Sequence, residues 1–270
     1  MAGFTVRPAR SGDSENITET WRLSFGDEES FIHRMLTGLG MLGTAIVAED
    51  EQGDVRSAML AFDGLSLGGV ETTYLYALCT HPEYRSRGMG GAVAAECVRA
   101  AGERGAQLVC LHPGSEKLAQ WYERTLGMKV LSERCAVSLA PEPMPGAEVI
   151  RVGAEEYQMA RGSYRDFLPM SMIRAQELVA ADSGASLMLF RRGSREYPMS
   201  AEFDGRELVI RELLCPQDKI RQTAAAAGAL MSAGSVRLVM QADGGECCLM
   251  GVYTGRERGM RAPYLPFTLE

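Results

Sequence analysis

The chain has 270 residues, 46% of them hydrophobic and 23% charged, which excludes a mainly disordered polypeptide and leaves room for one large domain or two small ones. Its 28 basic and 35 acidic residues give a formal charge of −7, so a dedicated nucleic-acid binder, which needs a basic excess, is not expected. No apolar run approaches the roughly 18–20 residues that span a bilayer, and Met1 to Arg10 lacks the apolar core of a secretory signal, so the expectation is a cytoplasmic protein with no membrane partner. The seven cysteines, an odd number without a C-x-x-C, read as reduced packing thiols rather than a disulfide or zinc framework, and no metal site is expected.

In chain order, Phe4 to Pro8 reads as a short strand. Ser14 opens a helix in which Ile17, Trp21 and Phe25 recur at helical spacing. Glu28 to Leu39 reads as a second helix and Thr44 to Glu49 as a strand. Arg56 to Leu67 and Glu71 to Thr80 form two longer strands joined at Gly68-Gly69, a two-residue turn. Met89 to Arg104 is a helix ended by Gly105, and Gln107 to Leu111 a buried strand. Ser115 to Leu126 is a helix ended by Gly127, and Lys129 to Leu139 closes the first unit as a strand.

The clearest break in composition is Ala140-Pro141-Glu142-Pro143-Met144-Pro145-Gly146, which neither a helix nor a central strand can cross. It divides the chain into residues 1–140, a linker at 141–148 and residues 149–270. In the second part Leu187 to Phe190, Met199 to Phe203 and Glu207 to Leu214 read as strands. The alanine-rich stretch Arg221 to Met231 reads as a helix, and Val236 to Met240 and Cys248 to Val252 as strands. The class is mixed α/β.

The stretch that carries chemistry is Tyr74 to Val93: an apolar strand, a short polar exit, a glycine-rich turn and a helix. Arg85-Ser86-Arg87-Gly88-Met89-Gly90 fits R-x-x-G-x-G, with Gly91 beside it. Glycines let backbone N–H groups approach a ligand, and the start of the next helix offers free N–H groups and a positive dipole end, which together suit a pyrophosphate. A Rossmann fingerprint needs a third glycine where Val93 stands, and a P-loop needs a Lys that is missing here. Taken alone, the motif also fits a turn that merely joins strand to helix.

Residues 4 to 139 as a whole resemble the GCN5-related N-acetyltransferase (GNAT) superfamily. The likeness rests on the R-x-x-G-x-G turn, its His81-Pro82-Glu83-Tyr84-Arg85 exit from the strand, and Trp121-Tyr122-Glu123-Arg124-Thr125-Leu126-Gly127-Met128. That last stretch resembles the family's Y-x-x-x-G-F signature, one residue longer and with Met128 in place of Phe. The resemblance implies the GNAT fold and acetyl-CoA as cosubstrate. It places Leu78, Cys79 and Thr80 where two parallel strands splay, with backbone groups pairing the pantetheine arm and one N–H polarising the thioester carbonyl. Arg85, Ser86, Arg87, Gly88, Met89, Gly90 and Gly91 would hold the pyrophosphate, and Tyr122 would protonate the leaving thiolate. Ser115 stands where many relatives carry a cofactor-contacting Asn.

The implied reaction is acetyl transfer to a primary amine of a small molecule or peptide. A non-catalytic acyl-CoA-binding or regulatory module of the same fold stays open, as does a homodimer. No general base is singled out among Glu71, His81, His112 and the run Asp27-Glu28-Glu29. Residues 149–270 resemble a second GNAT-like half through the strand Glu207 to Leu214 followed by the helix at Arg221, and a degenerate one, because Cys215-Pro216-Gln217-Asp218-Lys219-Ile220 holds no glycine for a cradle. In two-domain relatives of the enhanced-intracellular-survival type the C-terminal carboxylate serves as base. That role for Glu270 is an open alternative to an ordinary final strand.

Overall fold

The computed structural model describes residues 3–162 and 167–255. The elements are β1 (Phe4–Pro8), α1 (Ser14–Phe25), α2 (Glu29–His33), β2 (Ile46–Asp50), β3 (Val55–Leu67), β4 (Val70–Thr80), α3 (Met89–Glu103), β5 (Leu108–Leu111), α4 (Glu116–Leu126) and β6 (Lys129–Leu139). They continue with β7 (Ala147–Arg151), α5 (Ala154–Arg161), α6 (Met170–Ser183), β8 (Ala185–Arg192), β9 (Arg195–Phe203), β10 (Glu207–Leu213), α7 (Ile220–Leu230), β11 (Ser235–Gln241) and β12 (Glu246–Tyr253). They fall into two compact units, 3–130 with 249–255, and 131–248.

The first unit is a mixed sheet in the order β1-β2-β3-β4-β5-β12. All neighbours are antiparallel except β4 and β5, which α3 connects as a parallel crossover. Gly68 and Gly69 carry φ of 59° and 76°, the left-handed pair that a tight hairpin turn requires, and so join β3 to β4. Helix α1 buries Ile17 and Trp21, four residues apart, each worth roughly 1.5–3 kcal/mol of transfer from water. It ends at Gly26, whose left-handed φ of 84° lets its N–H reach Arg22 O. The expected second helix is shorter than the sequence suggests: α2 stops at His33 and runs into a π-helical turn at Arg34–Gly38.

The second unit is also a mixed sheet, in the order β6-β11-β10-β9-β8-β7. Its one parallel pair is β10–β11, joined by α7. Four buried alanines, Ala224 to Ala227, let α7 lie close to the sheet, over a core of Met188, Phe190, Met199, Leu208, Ile210 and Leu238. Three elements here, β7, α5 and α6, carry no sequence expectation. The buried side of α5 is only Ala154, Tyr157 and Arg161, too thin and too polar a stripe to show as periodicity.

The two units share one order of elements. Each runs strand, two helices, three further antiparallel strands, then a parallel strand–helix–strand step: β1-α1-α2-β2-β3-β4-α3-β5 and β7-α5-α6-β8-β9-β10-α7-β11. In each, the strand before the crossover carries a bulge. The register slips in β4 between Tyr76 and Cys79 and in β10 between Ile210 and Glu212. The sixth strand is exchanged in sequence. β5 is paired by β12, from Met250↔Leu111 to Tyr253↔Leu108, whereas β6 pairs β11, from Val236↔Leu139 to Gln241↔Arg134.

None of the seven cysteines is in a disulfide. Among the described residues no helix is long and apolar enough to cross a membrane, and no three His, Cys, Asp or Glu side chains converge as a metal ion needs. The tail from Pro263 to Glu270, including the carboxylate considered as a base, lies outside the described residues.

Candidate active site

The site begins where β4 and β5 part. Their parallel pairing covers only Thr72↔Leu108, Thr73↔Val109 and Tyr74↔Cys110, while β4 continues to Thr80. Among the described residues the edge of β4 that faced β5 has no strand partner from Leu75 onward, so backbone groups there are open to a ligand, apart from Cys79 O and Thr80 O, which accept side-chain hydrogen bonds. The bulge falls in this stretch. Ala77 is left-handed at φ 53°, a strained conformation for a residue with a Cβ, and two residues of β4 stand against one of β3. Leu78, Cys79 and Thr80 therefore lie together at the open end of β4.

Their side chains are largely committed to the fold. The Cys79 thiol is buried with Sγ 3.6 Å from Ala58 O, and burial pushes its pKa up to about 12, so it is a packing group and not a nucleophile. Ser57 Oγ donates to Cys79 O at 2.7 Å and lies 2.9 Å from Thr80 Oγ1. Thr80 O accepts from Ser24 Oγ at 3.3 Å and from Arg85 Nε at 3.2 Å.

The polar exit after β4 is one tight turn (Pro82–Tyr84) with His81 at its head, where the ring Nδ1 accepts the Glu83 N–H at 3.4 Å. Ser86 and Gly88 both have positive φ, 62° and 87°, on either side of Arg87. Helix α3 starts at once. Ala92 N–H is the first to reach back to a carbonyl of the turn, Gly88 O at 3.0 Å, which leaves the N–H groups of Met89, Gly90 and Gly91 without a backbone acceptor among the described residues. Alternating left-handed residues followed by a helix N-terminus form a concave set of donors suited to an anion. A Cβ at Gly90 would stand 3.1 Å from Thr80 Oγ1, and one at Gly91 would stand 3.3 Å from Thr125 Cγ2. The glycines thus serve close approach as well as exposure of N–H groups. Arg85 and Arg87 are exposed beside this cradle.

Helix α4 brings two more of the expected residues. Ser115 caps it: its Oγ accepts the Leu118 N–H at 3.2 Å, which commits the hydroxyl to the helix end. Tyr122 is 7% exposed, and its hydroxyl has no hydrogen-bond partner among the described residues. Burial pushes its phenol up to about 12, with the Cys97 thiol adding in the same direction. At neutral pH it is a protonated donor held in an apolar setting.

The candidates for a base are scattered. Glu71 lies at the start of β4, before the paired stretch, at the end away from the splay. His81 caps a turn. Asp27 Oδ2 accepts Trp21 Nε1–H at 2.6 Å, while Glu28 O caps the first turn of α2 and Glu29 is exposed. His112 follows β5 and is half-buried.

Sequence reasoning missed the anchor of the turn. Tyr84 Oη donates to Asp50 Oδ2 at 3.0 Å, and Arg56 Nε donates to the same oxygen at 2.7 Å. Burial works against the Asp50 carboxylate, but Arg56, the Asp54 N–H, Tyr84 and the Gln52 N–H together outweigh it and hold the pKa below the ordinary value. Asp50 and Tyr84 sit 34 positions apart, so no local pattern could have joined them.

A family model for the GNAT acetyltransferase domain matches residues 5–125, a span that contains the splay, the glycine turn and Tyr122. Among solved structures, a GCN5-related N-acetyltransferase from Kribbella flavida superposes with a TM-score of 0.68 at 17% identity, covering 92% of this chain and 70% of that one. A conserved protein of unknown function from Enterococcus faecalis V583, described as a probable N-acyltransferase, gives 0.71 at 13% identity, with 94% and 73% covered. Eis1 from Mycobacterium abscessus gives 0.63 at 14% identity, with 91% and 72% covered. At these identities the likeness is one of fold. No curated protein matches the sequence. Residues 5–125 are thus a GNAT acetyltransferase domain, and the protein that carries it is an acyltransferase.

Proposed function

We propose that the protein transfers the acetyl group of acetyl-CoA to a primary amine of a small molecule or peptide. The observation that carries this reading is the continuity of an open strand edge at Leu75 to Thr80 with an N–H cradle at Met89 to Gly91. An extended arm can pair with the first while its pyrophosphate rests in the second. Bound there, acetyl-CoA supplies a thioester, an acyl group already activated toward an amine.

The chain's own residues then have distinct tasks. Backbone groups of Leu78, Cys79 and Thr80 hold the pantetheine arm, and one N–H there faces the carbonyl oxygen, where negative charge grows during attack. The turn from Arg85 to Gly91 neutralises the pyrophosphate locally, which matters in a chain of net charge −7. Tyr122 holds a proton on its phenol for the departing thiolate. Ser115, as a helix cap, orients the start of α4. The surplus negative charge favours a cationic acceptor approaching by diffusion.

We infer also that 149–270 is a second GNAT-like half without a cofactor. The shared element order and the bulge in β10 support this. The β10–α7 connection holds Pro216 and a turn at Gln217–Lys219 where the first unit has its glycines.

The experiment is calorimetric titration with CoA, followed by free-thiol release from acetyl-CoA with a panel of amines. Binding and amine-dependent thiol release are expected. CoA binding without turnover on any amine would leave a cofactor-binding module, and absence of CoA binding would remove the reading.

A further inference from the structure

Arg56 and Arg87 place their guanidinium carbons 4.9 and 4.8 Å from the centroid of one ring, that of Tyr84. Their charges are used differently. Arg56 is neutralised twice, by Asp50 at 2.7 Å and by Asp54 at 2.6 Å. Arg87 meets no carboxylate among the described residues. Its NH2 donates to Glu83 O at 2.8 Å, a bond that orients the group without cancelling its charge. Tyr84 itself is held at three points: its hydroxyl on Asp50, His81 edge-on at 5.6 Å, and the Arg56 guanidinium over its ring. Asp50 is fixed in turn, with Oδ1 accepting the N–H groups of Gln52 and Asp54 at 3.0 Å each. Arg87 also borders a cavity of about 420 Å³, shared with Phe4, Asp50, Gln52, Tyr84 and Met89.

We propose that Tyr84 is a positioning residue for the anion site: it holds Arg87 beside the N–H cradle as a cation with no internal counter-ion, while Asp50 and Asp54 consume the charge of Arg56. A long arginine side chain alone would lose rotamer freedom on meeting a phosphate. Resting on an anchored ring and a backbone carbonyl, Arg87 has lost that freedom before the ligand arrives. The ligand class is a di- or monophosphate ester, and the proposal rests on the reading of this turn as the acyl-CoA cradle.

The test is a double-mutant cycle on the full chain, read as the Kd for CoA by calorimetry at two salt concentrations, with thermal melts to establish folding. Arg87→Met should weaken binding about tenfold and flatten its salt dependence. Tyr84→Leu should weaken binding roughly twofold to fivefold, and Tyr84→Phe, which keeps the ring, should cost less than Tyr84→Leu. In the Arg87→Met background Tyr84→Leu should have no further effect, because Tyr84 acts through Arg87. If the two losses multiply, or if Tyr84→Leu binds like the wild type, the proposal is overturned while the acyl-CoA reading stands. Should Tyr84→Leu not fold, Tyr84→Gln completes the same cycle. If the wild type binds no CoA, the acyl-CoA reading falls and this proposal with it.

Discussion

Replacing Tyr122 with Phe separates a catalytic tyrosine from one that merely fills space. The ring is 7% exposed and contacts Trp121, so Phe preserves nearly all of its packing. The hydroxyl has no partner among the described residues, so its removal breaks no protein hydrogen bond. The oxygen is not among the fully buried unpartnered polar atoms, so water can reach it and the wild type bears no large penalty there. Tyr122→Phe is therefore expected to change stability by less than about 1 kcal/mol, at most a few degrees in Tm for a chain of this size. Loss of a positioned acid typically costs 10²–10⁴ in rate, so kcat should fall at least about 100-fold with the KM for acetyl-CoA little changed. Because burial pushes the phenol to about 12, the wild-type kcat should show no basic limb from this group up to about pH 10. The assay is free-thiol release across pH, paired with thermal unfolding of both proteins. A kcat within twofold of wild type would refute the assignment. So would a stability loss of more than about 2 kcal/mol, which would mean that the hydroxyl is a structural bond.

Other consequences follow from particular contacts. In the second unit Glu212, 1% exposed, accepts from Tyr157 Oη at 2.5 Å and pairs with Arg161 at 3.3 Å. Glu212→Gln removes the buried carboxylate from this pair and should cost about 3–5 kcal/mol by urea denaturation, whereas an unchanged midpoint would show that the pair is not closed to water. Asp50 has a folded pKa below its unfolded one, so its contribution is present above the ordinary carboxylate range and is lost as pH falls through the folded value. Asp50→Asn should therefore lower stability at neutral pH and flatten the acid limb of the stability curve, and parallel acid limbs would contradict this. Gly228 faces a Val236 methyl so closely that a Cβ has no room, so Gly228→Ala should destabilise despite the better helix propensity of alanine. A higher Tm for that variant would show that α7 can shift away from β11.

What the residues alone determined is local. The R-x-x-G-x-G turn, the strand before it and the helix after it occupy one short run, and their conformations follow from neighbours in sequence: glycine's access to positive φ and the free N–H groups of a helix start. The GNAT likeness, and with it acyl transfer, was legible from that run together with Trp121 to Met128. Tertiary structure decided the rest, because strand pairing and charge networks are non-local. The alternation of Lys129 to Leu139 marks a strand, yet nothing in it names β11 as its partner. Likewise nothing in Leu249 to Tyr253 announces that these residues pair β5. The splay exists because β5 ends at Leu111 while β4 runs on to Thr80, a comparison of two distant segments. Asp50, Arg56 and Tyr84 read separately as ordinary polar residues of two strands and a turn. Only the sheet brings β2, β3 and the exit from β4 close enough for Asp50, Arg56 and Tyr84 to set the position of Arg87, an arginine that meets no carboxylate among the described residues.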